Sequence, residues 1–392
     1  MTSITLSPAT VSPATLRARI AVIDVMRGLV MLIMLFDHVR ETFFMHHQVS
    51  DPMDISTVEP ALFFTRTAAH FCAPMFVFLT GLSAWLYAHP AAGPRSATGF
   101  LFKRGLLLVV LEVVFVNFAW MGTFTPAILY LQVILVIGLS MMALAVLHRL
   151  PLKWLVALCV AIIAGQHLLT WLHAEEGTLG YYLLTVLLQR GYLVADGAMK
   201  IKASYPLLPW IGVILLGYAA GPLYARSCTP QARRRWLLAL GGGALLSLAV
   251  LRGLNLYGEH LPWVAGDSAV QTVMSFLNFT KYPPSLDFVL FTLGFGMLGM
   301  AWLETLDNWF VRACATFGGA PMFYYLLHLY LLLIISRILT AVLGINHGDR
   351  YGVEHVWQVW LIALALMPLL YWPCRAFANY KRTSNKAWVR YF

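Results

Sequence analysis

Charge is scarce in this chain, and acid scarcer than base. Only 11% of its 392 residues are charged, with 17 Asp and Glu against 27 Lys and Arg, while 60% are hydrophobic. With a mean hydropathy of +0.74, that scarcity excludes a soluble globular domain. Cysteine is rarer still. The five present, Cys72, Cys159, Cys228, Cys314 and Cys374, form no CxxC pair, so neither a disulfide framework nor a cysteine zinc site is implied. No GxGxxG follows a strand pattern, and no P-loop or GxSxG spacing occurs. Dinucleotide binding, a phosphate-cradling loop and an α/β-hydrolase nucleophile therefore drop out. The chain shows no two-fold internal repeat, which argues against a transporter built from inverted halves.

Long apolar runs are what it has in abundance. Bounded by Pro, Gly and charge, they predict ten membrane spans, near 20–44, 67–89, 101–121, 126–147, 152–173, 204–225, 235–256, 284–304, 319–343 and 356–378. The expected fold is an all-α polytopic bundle of about ten transmembrane helices. A Ser/Thr/Pro/Ala-rich disordered tail is expected at 1–18, the membrane domain at 19–379 and a basic tail at 380–392. No small-residue cleavage site follows the first run, so it reads as a retained helix. With the amino terminus inside, 17 basic residues fall on the inner side and eight on the outer, which puts both termini in the cytoplasm. The same loops account for the net charge of +10, and nucleic acid is not an expected partner. Segment 178–202 holds Gln189, Arg190 and Asp196, is short for a span, and reads as an amphipathic or re-entrant helix on the outer face.

Ionisable groups at membrane depth need a job or a partner. In the first span Asp24, Arg27 and His38 share one helix face, with Met31 and Leu35 between them as an apolar floor. Eleven steps from Arg27 to His38 make three turns and roughly 20°, about 16 Å along the axis. Asp37 lies about 100° round from His38 and is placed to pair with Arg40. Glu112 sits mid-span and requires protonation, a wet cavity or a partner such as Arg27 or His328. Lys103 and Arg104 belong to the inner side; His70 stands at an outer helix end, and Lys281 and Asp287 flank Pro283-Pro284. Trp210 lies between Pro209 and Gly212, and His328 lies in an aromatic stretch after Pro321. His46-His47 lacks a third ligand, so no metal is expected.

Asp24-x-x-Arg27-Gly28, followed after nine residues by His38, resembles the first-helix signature of the acyltransferase-3 superfamily, in which that histidine is catalytic. The rest is similar to the related family of heparan-alpha-glucosaminide N-acetyltransferase and its bacterial relatives. The matching pieces are Asp37-His38-Val39-Arg40, Cys72 to Gly81, Tyr205 to Gly212, Lys281-Tyr282-Pro283-Pro284-Ser285-Leu286, and Gly319-Ala320-Pro321 leading to Leu327-His328. The resemblance implies transfer of an acyl group, expected to be acetyl, from cytosolic acetyl-CoA or another acyl-CoA to an amino sugar or glycan on the far side. A bacterial inner membrane is the expected location, with membrane lipid around the chain and a homodimer the assembly to look for.

In the lysosomal enzyme the acetyl-handling histidine lies in the loop after the first span, and an amide stands where His38 stands here. This chain has histidine in both places, so His38, His46 and His47, with Asp37, are the catalytic candidates. His38 serves either as general base or as a transient acyl carrier. Arg27, Asp24, His328, Lys103 and Arg104 are candidate CoA contacts, Arg27 either pairing with Asp24 or meeting phosphate. His70, Arg40, Trp210, Lys281, Asp287 and Glu112 are candidate acceptor-side residues. The rival reading is a proton-coupled transporter or flippase using Asp24, Glu112 and His328.

Overall fold

A computed structural model describes residues 13–391. Helix α1, Pro13–Phe43, begins inside the stretch expected to be a tail; residues 1–12 of that tail lie outside the described residues. Next come α2 (Pro60–Ala69) and α3 (Cys72–Ala88), which together form one span. Helix α4 (Thr98–Val110) runs through a π-helical turn at Leu111–Val116 into α5 (Asn117–Met121). Then follow α6 (Val133–Leu147), α7 (Leu152–Gly165), α8 (Leu179–Leu187), α9 (Leu207–Ala219) and α10 (Pro230–Gly253). The last five are α11 (Ala269–Leu277), α12 (Leu286–Leu303), α13 (Trp309–Gly318), α14 (Pro321–Leu343) and α15 (Val356–Thr383).

Local chemistry sets many of the starts. Thr178, Thr229, Ser268, Ser285 and Asn308 each accept a hydrogen bond from the backbone N–H three residues on, satisfying a donor the helix cannot. Among the described residues, seven helical stretches are long and apolar enough to cross a membrane. The fold is an all-α multi-pass bundle. Helix α1 sits at its centre, packed on α2, α3, α12, α13, α14 and α15.

Two segments differ from the sequence expectation. Residues 128–131, expected as the start of a span, form strand β1 (Ile128–Leu131), and α6 begins only after an extended Gln132. Segment 178–202 is helical only in α8 and then forms β2 (Gly191–Val194) and β3 (Lys200–Ala203). The strands make one sheet in the order β1-β3-β2, with β1 parallel and β2 antiparallel to β3. Short apolar runs carry no period that separates strand from helix, which is why these were missed. The π turn positions Asn117 to bind this sheet: its amide donates to the Glu112 and Tyr130 carbonyls and accepts from the Tyr130 N–H. At the carboxyl end α15 continues past residue 380 to Thr383, and a 3-10 turn follows at Ala387–Tyr391.

Helices α1 and α13 meet backbone to backbone. A Cβ on Gly28 would overlap the Cys314 carbonyl, and one on Gly318 would overlap the Asp24 carbonyl. Small residues let helices approach this closely where lipid supplies no hydrophobic drive to associate. Gly28→Val should therefore lower stability by at least about 1–3 kcal/mol, the scale of overpacking, whereas Gly99→Ala, with open space around it, should be neutral. Thermal midpoints of the two variants in detergent check this, and an unshifted Gly28→Val protein would count against the contact.

Candidate active site

The polar face of α1 lines one continuous cavity of about 1660 Å³. Asp24, Arg27, Met34, Asp37, His38, Arg40 and Glu41 follow one another along its wall. Met31 and Leu35, expected as the floor between Arg27 and His38, are instead fully buried in the dry core, and Met34 takes that place. The wall joins a basic end around Arg27 to a mixed-charge end beyond His38.

At the basic end Arg27 pairs with Asp24 at 2.9 Å and also donates to the Ser83 hydroxyl. Arg104, Lys381 and Arg382 join them in the wall, and Lys381 lies within electrostatic reach of Arg104, Arg27 and Asp24. The buried Nε of Arg104 has no hydrogen-bond partner among the described residues. A buried guanidinium donor left unmade is costly, so a ligand that accepts from it gains the difference. The middle of the cavity is apolar, lined by Met34, Phe76, Leu108, Ile137 and Met141.

His38 stands past this apolar stretch, edge-on to Trp120 at 5.1 Å between ring centroids. Its Nδ1 lies 2.6 Å from Nε2 of His328, whose Nδ1 lies 2.8 Å from the Tyr324 carbonyl. A carbonyl only accepts, so His328 carries its proton on Nδ1; in the neutral pair its Nε2 then accepts from His38 Nδ1–H. That leaves the lone pair of His38 on Nε2. The Tyr324 hydroxyl donates to the Met31 carbonyl and ties this chain of contacts back to α1.

Beyond His38 two acids are held in ion pairs, and Arg190, Lys202, Lys281 and Arg350 also line the wall. Arg40 donates to Asp37 and Glu41, each at 2.9 Å, and Arg66 lies 3.4 Å from Asp37. Asp51 accepts from the backbone N–H groups of Lys281 and Tyr282, and the Tyr282 hydroxyl donates to Tyr205. Burial pushes the Asp51 carboxyl above its ordinary range against the pull of Lys281. Burial also works against the Lys281 charge, yet Tyr282 and Asp37 outweigh it and hold the ammonium above the usual lysine value.

The sequence model of a family described as heparan-alpha-glucosaminide N-acetyltransferase, catalytic, matches residues 19–260. The chain belongs to that family. A comparison with individually curated proteins gives no match. The matched stretch includes α1 with its Arg27-to-His38 face, α3, and the Arg104 helix; His328 and Lys281 lie beyond it.

In this member of the N-acetyltransferase family, the cavity gathers Asp24, Arg27, Asp37, His38, Arg40, Arg104 and Lys281 from the residues singled out by sequence, with His328 bonded behind His38. The others lie elsewhere. Lys103, one residue round the helix from Arg104, is exposed outside the cavity wall. His70 is buried against Phe288, Trp210 is buried beside Tyr205, and Asp287 is buried under Gly258, all off the wall. Glu112 meets neither Arg27 nor His328; its carboxylate reaches toward the backbone N–H groups of Leu135, Gln132 and Ile134 without a well-aligned hydrogen bond. His46 and His47 stand in the loop after α1, outside the cavity wall, with His46 stacked on His347.

Sequence reasoning passed over Lys381 and Arg382, read as tail, and the aromatic neighbours Trp120 and Tyr325. Arg375, Asn379 and Arg382 recur at i, i+4 and i+7, the spacing of one helix face, and that signal would have carried the last helix past residue 380. Arg66→Ala removes one of the two guanidinium partners of the buried Asp37, which keeps Arg40, and should cost about 1.5–3 kcal/mol, the scale of a hydrogen bond to a charged group. Chemical or thermal unfolding in detergent measures it, and a loss under about 1 kcal/mol, the scale of a surface pair, would mean the cluster is effectively solvated.

Proposed function

We propose that the protein moves an acetyl group from cytosolic acetyl-CoA to an amino sugar or glycan on the opposite side of a membrane, with His38 as general base. The observation carrying this reading is that one cavity joins the cation-lined end at Arg27 to His38 and then to the Lys281 end. Its volume of about 1660 Å³ exceeds the roughly 300–1,000 Å³ of an ordinary small-molecule pocket, which suits two substrates meeting end to end.

Arg27, Arg104, Lys381 and Arg382 are the groups to hold the CoA phosphates, since guanidinium grips phosphate in a bidentate fork. The apolar middle takes the pantetheine arm and brings the thioester to His38. An acceptor amine entering past Lys281 attacks the thioester carbon as His38 Nε2 takes its proton. The carbon–sulfur bond then breaks, and the histidine returns the proton to the departing CoA sulfur. His328 is a positioning residue: it holds the His38 tautomer and shares the charge that forms.

The excess of basic residues in loops on the Arg27 side supports a cytoplasmic orientation for that end and both termini. The family's bacterial relatives favour a bacterial inner membrane. A proton-relay transporter is less well supported, because Asp24, Glu112 and His328 are not gathered: of the three, Asp24 alone lines the cavity.

The deciding experiment incubates purified protein with labelled acetyl-CoA and glucosamine. His38→Ala should reduce kcat by about 10²–10⁴, the usual contribution of a general base, and a variant with the parental rate would remove His38 from the mechanism. His328→Ala should lower kcat and displace the pH profile while leaving the KM for acetyl-CoA near its original value. Label trapped on the protein without acceptor, and later released to it, would replace direct transfer by an acyl-histidine route.

Arg104→Ala should act on donor binding, raising the KM for acetyl-CoA roughly tenfold or more, as expected for a charge-assisted contact worth about 1.5–3 kcal/mol. Lys103→Ala, on the exposed side of the same helix, should leave that constant unchanged. Equal effects at the two positions would place the phosphates elsewhere.

A further inference from the structure

We infer that His46, His347 and Glu354 form a binding site for a divalent transition metal of the zinc type, clasping the rim of the cavity at its mixed-charge end. The inference stands independently of the proposed reaction. The ligand atoms of the three side chains lie within 4.8 Å of one another. His347 Nε2 is 2.9 Å from a Glu354 oxygen, and the His46 and His347 rings stack at 3.7 Å, 3° from parallel. Ligands about 2.0–2.2 Å from a tetrahedral zinc lie roughly 3.3–3.6 Å from each other. Reaching that arrangement takes rotation of side chains on the surface, His46 and Glu354 being exposed and His347 half-buried, and no backbone rearrangement.

The backbone beneath is already set. Val353 N–H donates to the Phe43 carbonyl at 2.8 Å, joining the end of α1 to the segment that carries His347 and Glu354. That segment is a closed turn: His347 and Arg350 exchange backbone hydrogen bonds, and the Asn346 side chain bonds Gly352 in both directions. Two imidazoles are borderline ligands that favour zinc, nickel or copper over calcium or magnesium, which prefer all-oxygen shells. Three protein ligands leave a fourth position for water. An exposed His–Glu pair by itself contributes little to stability, and the Val353–Phe43 bond brings His46 to it from the loop after α1. Met45 and Gln48 on one side of the cluster and Arg350 on the other line the cavity. An ion here therefore fixes two pieces of the rim against each other.

The test uses the untagged full chain in detergent, stripped with chelator and titrated with Zn²⁺ by calorimetry, with the thermal midpoint followed in parallel. One zinc per chain and a raised midpoint are expected, with His46→Ala, His347→Ala and Glu354→Gln each weakening binding at least tenfold and His47→Ala not doing so. Co²⁺ added to the parental protein supplies a readout that no variant needs. A strong visible band of four-coordinate cobalt supports the site, and the weak spectrum of a six-coordinate ion overturns it. Absence of stoichiometric zinc binding, or variants that bind as tightly as the parent, also overturns it.

Discussion

Keeping polar groups at membrane depth is costly, and the architecture around α1 follows from how that cost is met. Asp24, Arg27, Asp37, His38, Arg40 and Glu41 lie on one helix, and six ionisable side chains facing lipid would not be tolerated. The helix is therefore central, ringed by α2, α3 and α12 to α15. Its polar stripe faces a cavity while Met31 and Leu35 face the dry core. The glycine contacts with α13 serve the same end: with Gly28 and Gly318 in the seam, the backbones touch, and no side chain there competes with Asp24 and Arg27 for space. Where the stripe leaves the apolar middle, Arg40 and Arg66 neutralise Asp37 and Glu41.

That neutralisation shapes the chemistry available at His38. A carboxylate is the common orienting partner of a catalytic histidine, yet Asp37 and Glu41 are already held by guanidinium groups. The partner here is a second imidazole, fixed by the Tyr324 carbonyl. A neutral pair buries no net charge at rest, which suits an apolar surround of Trp120 and Tyr325 better than a lone carboxylate would. If His38 acts as the proposed base, the positive charge of a proton taken on Nε2 would be shared along a hydrogen-bonded chain that ends on a helix backbone.

Much of this was legible in the chain and some was not, for reasons of distance and phase. Helical periodicity alone aligned Asp24, Arg27 and His38, and the i+3 spacing matched Asp37 to Arg40, because both are short-range properties of one helix. Choosing Arg104 over Lys103 needs the absolute rotation of α4, which periodicity in an almost uniformly apolar helix does not define. Lys381 beside Arg27, and His328 on His38 across 290 residues, are products of tertiary packing. The small sheet hid in Ile128–Leu131 and Gly191–Val194, four-residue runs too short to show a period. His46 showed no metal-ligating neighbours in sequence for the same reason that His38 showed no imidazole partner: His347, Glu354 and His328 all come from the far end of the chain.

The proposed reaction assigns different parts to the two ends of the cavity. Around Arg27 several cations face one carboxylate, and the buried Nε of Arg104 has no hydrogen-bond partner among the described residues, so this end suits an anionic ligand. Around Arg40 and Arg66 the acids Asp37 and Glu41 are paired, while Arg190, Lys202, Lys281 and Arg350 also line that end, so it is cationic as well and differs chiefly in holding its acids in ion pairs. On the proposed reaction, a donor with its phosphates at the Arg27 end would present its reactive carbonyl to His38. Binding energy gathered at the remote phosphates would then hold the thioester there, where it counts toward the transition state instead of toward affinity alone. On the same reading, an acceptor bound at the other end would meet the carbonyl from the opposite side of the same imidazole, and one continuous cavity would let transfer proceed without both faces being exposed at once.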